Sequence, residues 1–252
     1  MKLTSRDNPK VRHWAKLARD ARYRKAERHA LLEGPHLVQA FQATGGLAIA
    51  ILVTEKALGG KEIADLAGKS PVVVSESVFR SIVDAENPPG IAAEIAIPEP
   101  RKAQGDVVFL EGVQDPSNVG AIIRSAAAFG IGEVTLDQTC ADPWSPRALR
   151  AGMGGHFALS VRQQARLELN SFNGTLVCTV VRGGTALDKA DLQGRLGWIF
   201  GAEGQGVSPE AIRHTDLKVT IPMIDGTESL NVAAAAAICL YARSSISQRR
   251  EP

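Results

Sequence analysis

Apolar residues along the chain fall into short runs broken by polar, glycine-containing stretches, and the runs follow two different periods. Val11, Trp14, Leu17 and Ala18 recur at helical spacing and predict one helix across Ser5–Arg28. Leu31-Leu32-Glu33-Gly34 reads as an extended run leading into a helix over Pro35–Ala43. The pattern then predicts a strand at Leu47–Thr54, a short helix around Glu62–Ala67 and a β-branched strand at Pro71–Ser75. A helix over Glu76–Asp84 and a strand at Ile91–Ile97 complete a small α/β unit.

Pro98-Glu99-Pro100-Arg101-Lys102-Ala103-Gln104-Gly105 carries two prolines and charges but no periodicity, which marks a linker. The expected organisation is therefore residues 1–98, a linker at 99–105 and a second domain at 106–252. Val107-Val108-Phe109-Leu110 opens the second domain as a continuous apolar run, suited to a strand buried on both faces. A turn-rich loop, Glu111–Asn118, leads into an alanine-rich helix over Val119–Phe129. Strands follow at Glu133–Asp137, Phe157–Val161 and Thr175–Val181, with a helix near Ser145–Met153. Two runs, Leu196–Phe200 and Leu217–Pro222, are each followed by a polar loop: Gly201–Gly206, and Met223–Ser229 before the last helix, Asn231 to about Gln248. Loops leaving the carboxyl ends of parallel strands present backbone N–H groups and helix N-termini, so these two are the first candidates for a cofactor site.

Charge alters this picture at one end. Net charge is only +2, yet Met1–Arg28 holds ten Lys/Arg against three Asp/Glu, leaving 19 basic and 24 acidic residues in the rest. Lys10, Arg12, Lys16, Arg19, Arg22, Arg24, Lys25 and Arg28 would coat the first helix, either as a solvated face or as a phosphate-binding one. Cys140, Cys178 and Cys239 lie far apart without C-x-x-C spacing, which argues against a zinc site or disulfide framework and for reduced thiols in the cytoplasm. The first residues lack the apolar core of a signal peptide, and no window reaches the roughly 18 apolar residues of a membrane span.

Taken singly, the chemical marks are weak. Arg124 sits on an otherwise apolar, small-residue helix and must find an anion, either a ligand or a structural partner such as Glu111 or Asp115. Glu203 stands between glycines that allow close approach of backbone to a ligand. Gly201-x-x-Gly204-x-Gly206 is not the dinucleotide fingerprint, which argues against a nucleotide-dependent oxidoreductase. Ser229 and Asn231 could be ordinary helix caps. No histidine has the partners of a Ser-His-Asp triad, His156 and His214 being isolated.

Together the marks form an ordered set. Asp115-Pro-Ser-Asn118-Val-Gly-Ala-Ile-Ile-Arg124, Ile199-Phe-Gly201-Ala-Glu203-Gly204-x-Gly206 and Ile221-Pro-Met-x-x-Gly226-x-x-Ser229-Leu-Asn231-Val resemble the three motifs of the SpoU/TrmH family, RNA ribose 2′-O-methyltransferases of the SPOUT superfamily. Ser5-x-x-Asn8-Pro-x-Val and Leu32-Glu33-Gly34-x-x-Leu-Val resemble the opening of that family's substrate-binding domain. Two departures stand out: Ala233, where the family often has a small hydroxyl residue, and the glycine-rich stretch Arg150–Gly155.

The resemblance implies an α/β protein whose C-terminal parallel-sheet domain is tied in a deep trefoil knot. It also implies a preceding α/β RNA-binding domain like the kink-turn-binding ribosomal proteins, which favours phosphate contact by Lys10, Arg12, Lys16, Arg19 and Arg22. It further implies S-adenosylmethionine held by backbone groups at Gly201, Ile221 and Leu230. The same resemblance gives Arg124 the central catalytic place, with Asn118, Glu203, Ser229 and Asn231 around the reacting ribose and no metal required. A homodimer is implied, with Arg124 of one protomer near the cofactor of the other. Structured RNA is the expected partner, ribosomal before transfer RNA, and a non-catalytic ribosome-assembly factor of the same fold is the competing reading.

Overall fold

The computed structural model describes residues 2–101, 104–224 and 229–248, except for the side chains of 246–248. Lys102 and Ala103 of the linker, and Asp225, Gly226, Thr227 and Glu228 of the loop before the last helix, lie outside the described residues. Two compact units are formed, Met1–Glu99 with Asp142–Phe157, and Pro100–Ala141 with Ala158–Pro252.

The first unit runs β1 (Lys2–Leu3), α1 (Pro9–Arg19), α2 (Ala21–Glu27), β2 (His29–Glu33), α3 (Pro35–Ala43), β3 (Ala50–Thr54), α4 (Glu55–Leu58), α5 (Lys61–Ala67), β4 (Val72–Val74), α6 (Glu76–Ile82) and β5 (Ile91–Ala96). Its sheet has the order β1-β4-β3-β5-β2. β1, β4 and β3 run parallel, and β5 lies antiparallel between β3 and β2. Val11, Trp14, Leu17 and Ala18 of α1 are buried with Leu31, Leu52, Val74 and Phe79, so the helical stripe legible in the sequence is the face that packs.

The single helix expected over Ser5–Arg28 is two helices. Asp20 takes an extended backbone, and its carboxylate accepts hydrogen bonds from the N–H groups of Arg22 and Tyr23, ending α1 and capping α2. Arg24 does not coat the surface. It is buried, donating from Nη1 to the Leu17 carbonyl at 2.6 Å and pairing with Asp142 at 2.7 Å. That pair explains why residues 142–157, expected within the second domain, belong to the first unit. Arg150 adds bonds to buried Glu33 (2.6 Å) and to Asp84 (2.9 Å), and Phe157 meets Phe41 edge-on at 5.2 Å. Burial pushes the Glu33 carboxyl above its ordinary range, so the arginine offsets a desolvation cost rather than adding free stability.

The second unit contains β6 (Val107–Leu110), α7 (Pro116–Ala128) and β7 (Glu133–Asp137). The chain then leaves for the first unit, where α8 (Pro146–Gly152) lies, and returns as β8 (Ser160–Gln164), β9 (Thr175–Thr179), β10 (Thr185–Ala186), β11 (Leu196–Phe200), α9 (Pro209–Arg213), β12 (Leu217–Thr220) and α10 (Val232–Gln248). The strand expected at Phe157–Val161 starts at Ser160 instead, because Gly155–Phe157 forms a 3₁₀ turn with His156 buried. All seven strands are parallel, in the order β10-β12-β9-β11-β6-β7-β8. β6, β7 and β8 step outward in one direction, and β9 and β11 return on the other side of β6. The order therefore reverses between β6 and β11, paired in register with Phe200 opposite Leu110. In open parallel sheets that reversal leaves a crevice at the carboxyl ends.

α10 packs on α7, with Ala236, Cys239 and Leu240 buried. Arg243 ties its far end to the start of β6 by a 2.8 Å bond to Asp106. All three cysteines are free and buried. Among the described residues no helix is long and apolar enough to cross a membrane.

Candidate functional site

The crevice at the β6–β11 reversal receives loops from four strand ends. After β11 the chain turns through Gly201–Val207, where the N–H of Gly206 donates to the carbonyl of Ala202 at 2.8 Å. A Cβ on Gly201 would lie 2.1 Å from the carbonyl carbon and oxygen of Gly206 and 2.3 Å from the nitrogen of Val207. Only glycine lets the strand end pass this close to the returning loop. The far end of the loop is clasped by Glu111, which follows β6: its carboxylate accepts from the Ser208 N–H at 2.8 Å and from the Ser208 hydroxyl at 2.7 Å. Glu111 is thus committed to the loop and unavailable to Arg124.

Against this loop lies a cavity of about 300 Å³, lined by Thr179 at the end of β9 and Val180 and Val181 after it, by Gly201–Gly204, Gly206 and Val207, by Ile221 and Met223 after β12, and by Ser229–Val232 and Ala235 leading into α10. Its size is at the lower end of small-molecule sites, and its wall is mainly aliphatic side chains and backbone. Gly201, Ile221 and Leu230 all line it, as do Glu203, Ser229 and Asn231.

Three of the expected polar residues are joined in a directed chain. Asn231 caps α10, its Oδ1 accepting from the N–H groups of Ala233 (2.9 Å) and Ala234 (3.3 Å). Its Nδ2 therefore points outward and donates to Oδ1 of Asn118 at 3.0 Å. Asn118, in the first turn of α7 behind the Asp115 cap, donates in turn from Nδ2 to Oε1 of Glu203 at 2.6 Å. Both amide orientations are fixed by this order of donors and acceptors, which ends on a carboxylate.

Arg124 is not part of the constellation. It lies six residues beyond Asn118 on α7, about 240° further round the helix, exposed, and not among the cavity-lining residues. Among the described residues it makes no hydrogen bond or ion pair, so the structural partners considered from sequence, Glu111 and Asp115, do not hold it.

In the first unit, Lys10, Arg12, Lys16, Arg19 and Arg22 are all exposed. Arg12, Lys16, Arg19 and Arg22 line an open groove at the corner between α1 and α2, together with Asp20; Lys10 lies outside it. The Lys16 ammonium sits over the Tyr23 ring, 5.2 Å from its centroid.

Comparison with known proteins agrees with this geometry. Residues 106–241 match the SpoU rRNA Methylase family, and residues 8–93 match the MRM3-like substrate binding domain. The chain belongs to the SpoU rRNA methylase family. It is 32% identical over 247 residues to the 23S rRNA (guanosine(2553)-2′-O)-methyltransferase RlmP of Bacillus subtilis, covering 95% of this chain and 97% of that one. A crystal structure described as an RNA 2′-O ribose methyltransferase superposes with a TM-score of 0.81 at 27% identity, covering 99% of both chains. The SpoU methyltransferase AviRb from Streptomyces viridochromogenes, crystallised with AdoMet, shares the fold with a TM-score of 0.85 at 23% identity, over 96% of this chain and 98% of that one.

Sequence reasoning did not find the Thr179–Val181 wall or the Glu111 clasp. The first was readable as the end of a parallel strand beside the two loops. The second had no local signal, because Glu111 and Ser208 are 97 positions apart.

Proposed function

We propose that this SpoU methylase binds S-adenosylmethionine in the cavity at the ends of β9, β11 and β12 and methylates a ribose 2′-hydroxyl of structured RNA, ribosomal RNA in particular. The observation that carries the reading is the coincidence of that cavity with the Asn231–Asn118–Glu203 chain, contributed by three separate loops. The cavity suits the cofactor, since aliphatic walls at Val180, Val181, Ile221 and Leu230 match a flat purine, and the backbone around Gly201 can hydrogen-bond its edge. When bound, the cofactor supplies an already activated methyl group.

The chain's own residues then have to orient the ribose and take its proton. Glu203 is the only ionisable side chain among the described residues lining the cavity, and it is the proposed proton acceptor. Asn118 holds its carboxylate in place and is itself oriented by Asn231, and Ser229 lines the same space. The Arg124 guanidinium acts as a clamp on the target phosphate rather than as a base. Its separation from the cavity within one chain accords with the homodimer that the resemblance implies, in which Arg124 would serve the partner's site. The exposed stripe of Ala234, Ile238 and Tyr241 on α10 supports that contact. The trefoil threading belongs to the same proposal, as does residence in the cytoplasm, where ribosomal RNA is found. Ribosomal RNA is preferred because the curated relative that matches over nearly its whole length acts on 23S rRNA.

Calorimetry with S-adenosylmethionine, followed by labelled methyl transfer to ribosomal and to transfer RNA, tests the reading. Binding with transfer to ribosomal RNA is expected. Binding without transfer to either RNA would favour the assembly-factor reading instead.

A further inference from the structure

The first unit holds a cluster of side chains that the methyl-transfer reading does not use. We propose that His13, His29 and Glu94 form a binding site for a divalent transition-metal ion, with zinc as the best match. Nε2 of His13 on α1, Nδ1 of His29 on β2 and a carboxylate oxygen of Glu94 on β5 all lie within 4.8 Å of one another. Both imidazoles approach the same oxygen, Oε1, at 2.8 Å each. Two histidines and one carboxylate are a donor set that zinc accepts, whereas magnesium and calcium prefer oxygen alone.

The surroundings orient the donors. Oε2 of Glu94 accepts a 2.8 Å bond from the buried Trp14 indole, which turns Oε1 toward the histidines. The second nitrogen of His13, Nδ1, lies 2.8 Å from the Tyr23 hydroxyl. That hydroxyl can donate to Nδ1 while Nε2–H bonds Glu94, and it can accept from Nδ1–H once Nε2 faces a cation, so it serves both states by rotating. A hydrogen-bond partner on the far nitrogen holds the ring orientation of a metal-ligating histidine.

Glu94 is buried, its side chain 6% exposed, while those of His13 and His29 are 25% and 28% exposed. The cluster is therefore closed on the protein side and open at the imidazoles, where water or an RNA phosphate would complete a tetrahedron. Zinc bonds of roughly 2.0–2.1 Å place tetrahedral ligands about 3.4 Å apart, so no pair need shift by more than about 1.5 Å. The same contacts would also serve as a hydrogen-bonded buttress, and the two roles differ in whether the chain takes up metal at these atoms.

The test uses the full chain after chelator treatment. Co²⁺ is titrated while visible absorption is followed, then displaced with Zn²⁺, and the series is repeated with His29→Ala and with Glu94→Gln, which keeps an acceptor for the histidines. One tetrahedral Co²⁺ per chain is expected, displaced by one equivalent of Zn²⁺, with affinity weakened at least about tenfold in each variant. Absence of any uptake by the unmodified chain at millimolar metal, or uptake unchanged in both variants, would overturn the proposal. X-ray absorption of the unmodified zinc complex reads the donors directly should a variant misfold: nitrogen and oxygen neighbours are expected, and sulfur neighbours would place the ion at the cysteines and overturn it. None of these readouts depends on methyl transfer.

Discussion

Nδ2 of Asn118 donates to Oε1 of Glu203 at 2.6 Å, joining residues 85 positions apart in the chain. The contact exists because β6 and β11 are neighbours where the strand order reverses, so the segment after each strand opens into one crevice. Asn118→Asp would set two carboxylates face to face in place of a donor and an acceptor. Stability should hold, since Glu203 and Asn231 are exposed. Methyl transfer should fall by about 10²-fold, the usual cost of misplacing a reacting group by an ångström. Cofactor affinity by calorimetry should stay within a few-fold, and an undiminished transfer rate would remove Asn118 from the reaction.

Gly201→Ala tests the packing beneath the cavity. The three atoms nearest the added Cβ are backbone, those of Gly206 and Val207, so moving a side chain aside does not relieve the clash. Overpacking of this kind costs typically 1–3 kcal/mol. Thermal unfolding should register that loss, and S-adenosylmethionine binding should weaken more than tenfold because the loop must move.

Arg124→Ala should leave the melting temperature unchanged, since no described partner is lost, while abolishing measurable transfer. Mixing Arg124→Ala with Asn118→Asp protein under conditions of subunit exchange should restore part of the activity if each site draws Arg124 from the other protomer. Failure of complementation, with exchange demonstrated, would place Arg124 in its own chain's site.

The groove at the α1–α2 corner gives a separate electrostatic test. Reversing Lys16, Arg19 and Arg22 to Glu should weaken RNA binding and make log K against log salt shallower by about two to three units of slope. Calorimetric binding of S-adenosylmethionine should be unaffected, because none of these residues lines the cavity.

His156 supplies a pH signature. It is fully buried, its Nε2–H donates to the Pro143 carbonyl at 2.8 Å, and desolvation pushes its pKa down to about 4. An unfolded histidine titrates near 6.5, so between pH 6.5 and 4 the unfolded state binds the extra proton and stability falls as pH drops. The contribution approaches roughly 3 kcal/mol at pH 4 and vanishes above pH 6.5. His156→Gln should flatten denaturant-derived stability in that window by up to one proton; an unchanged slope would mean the folded chain already accommodates the charge.

Where the sequence was legible, one strong local signal governed the element. Val107–Leu110 and Leu196–Phe200 are continuous apolar strands and Glu133–Asp137 an alternating one, all with the bounds read from the chain, and Pro35–Ala43 is the helix its periodicity indicates. What escaped depended on a competing long-range or polar contact. Asp20 breaks the basic helix because its carboxylate is a better cap than a helical residue, and Arg24, which looked like one more surface cation, is drawn inside by Asp142, 118 positions away. The three motifs were recognisable as a set. Their meeting as Asn231–Asn118–Glu203 was not, since it rests on strand order.

The most direct measurement is mass spectrometry of nucleosides from ribosomal RNA of a strain lacking this protein, after incubation with the purified chain and S-adenosylmethionine. The account predicts one nucleoside carrying its new methyl group on the ribose, formed about 10²-fold more slowly when the Asn118→Asp variant is used. A methyl group found on a base instead, or equal ribose methylation by that variant, would contradict the assignment of this crevice as a ribose 2′-O-methylation site.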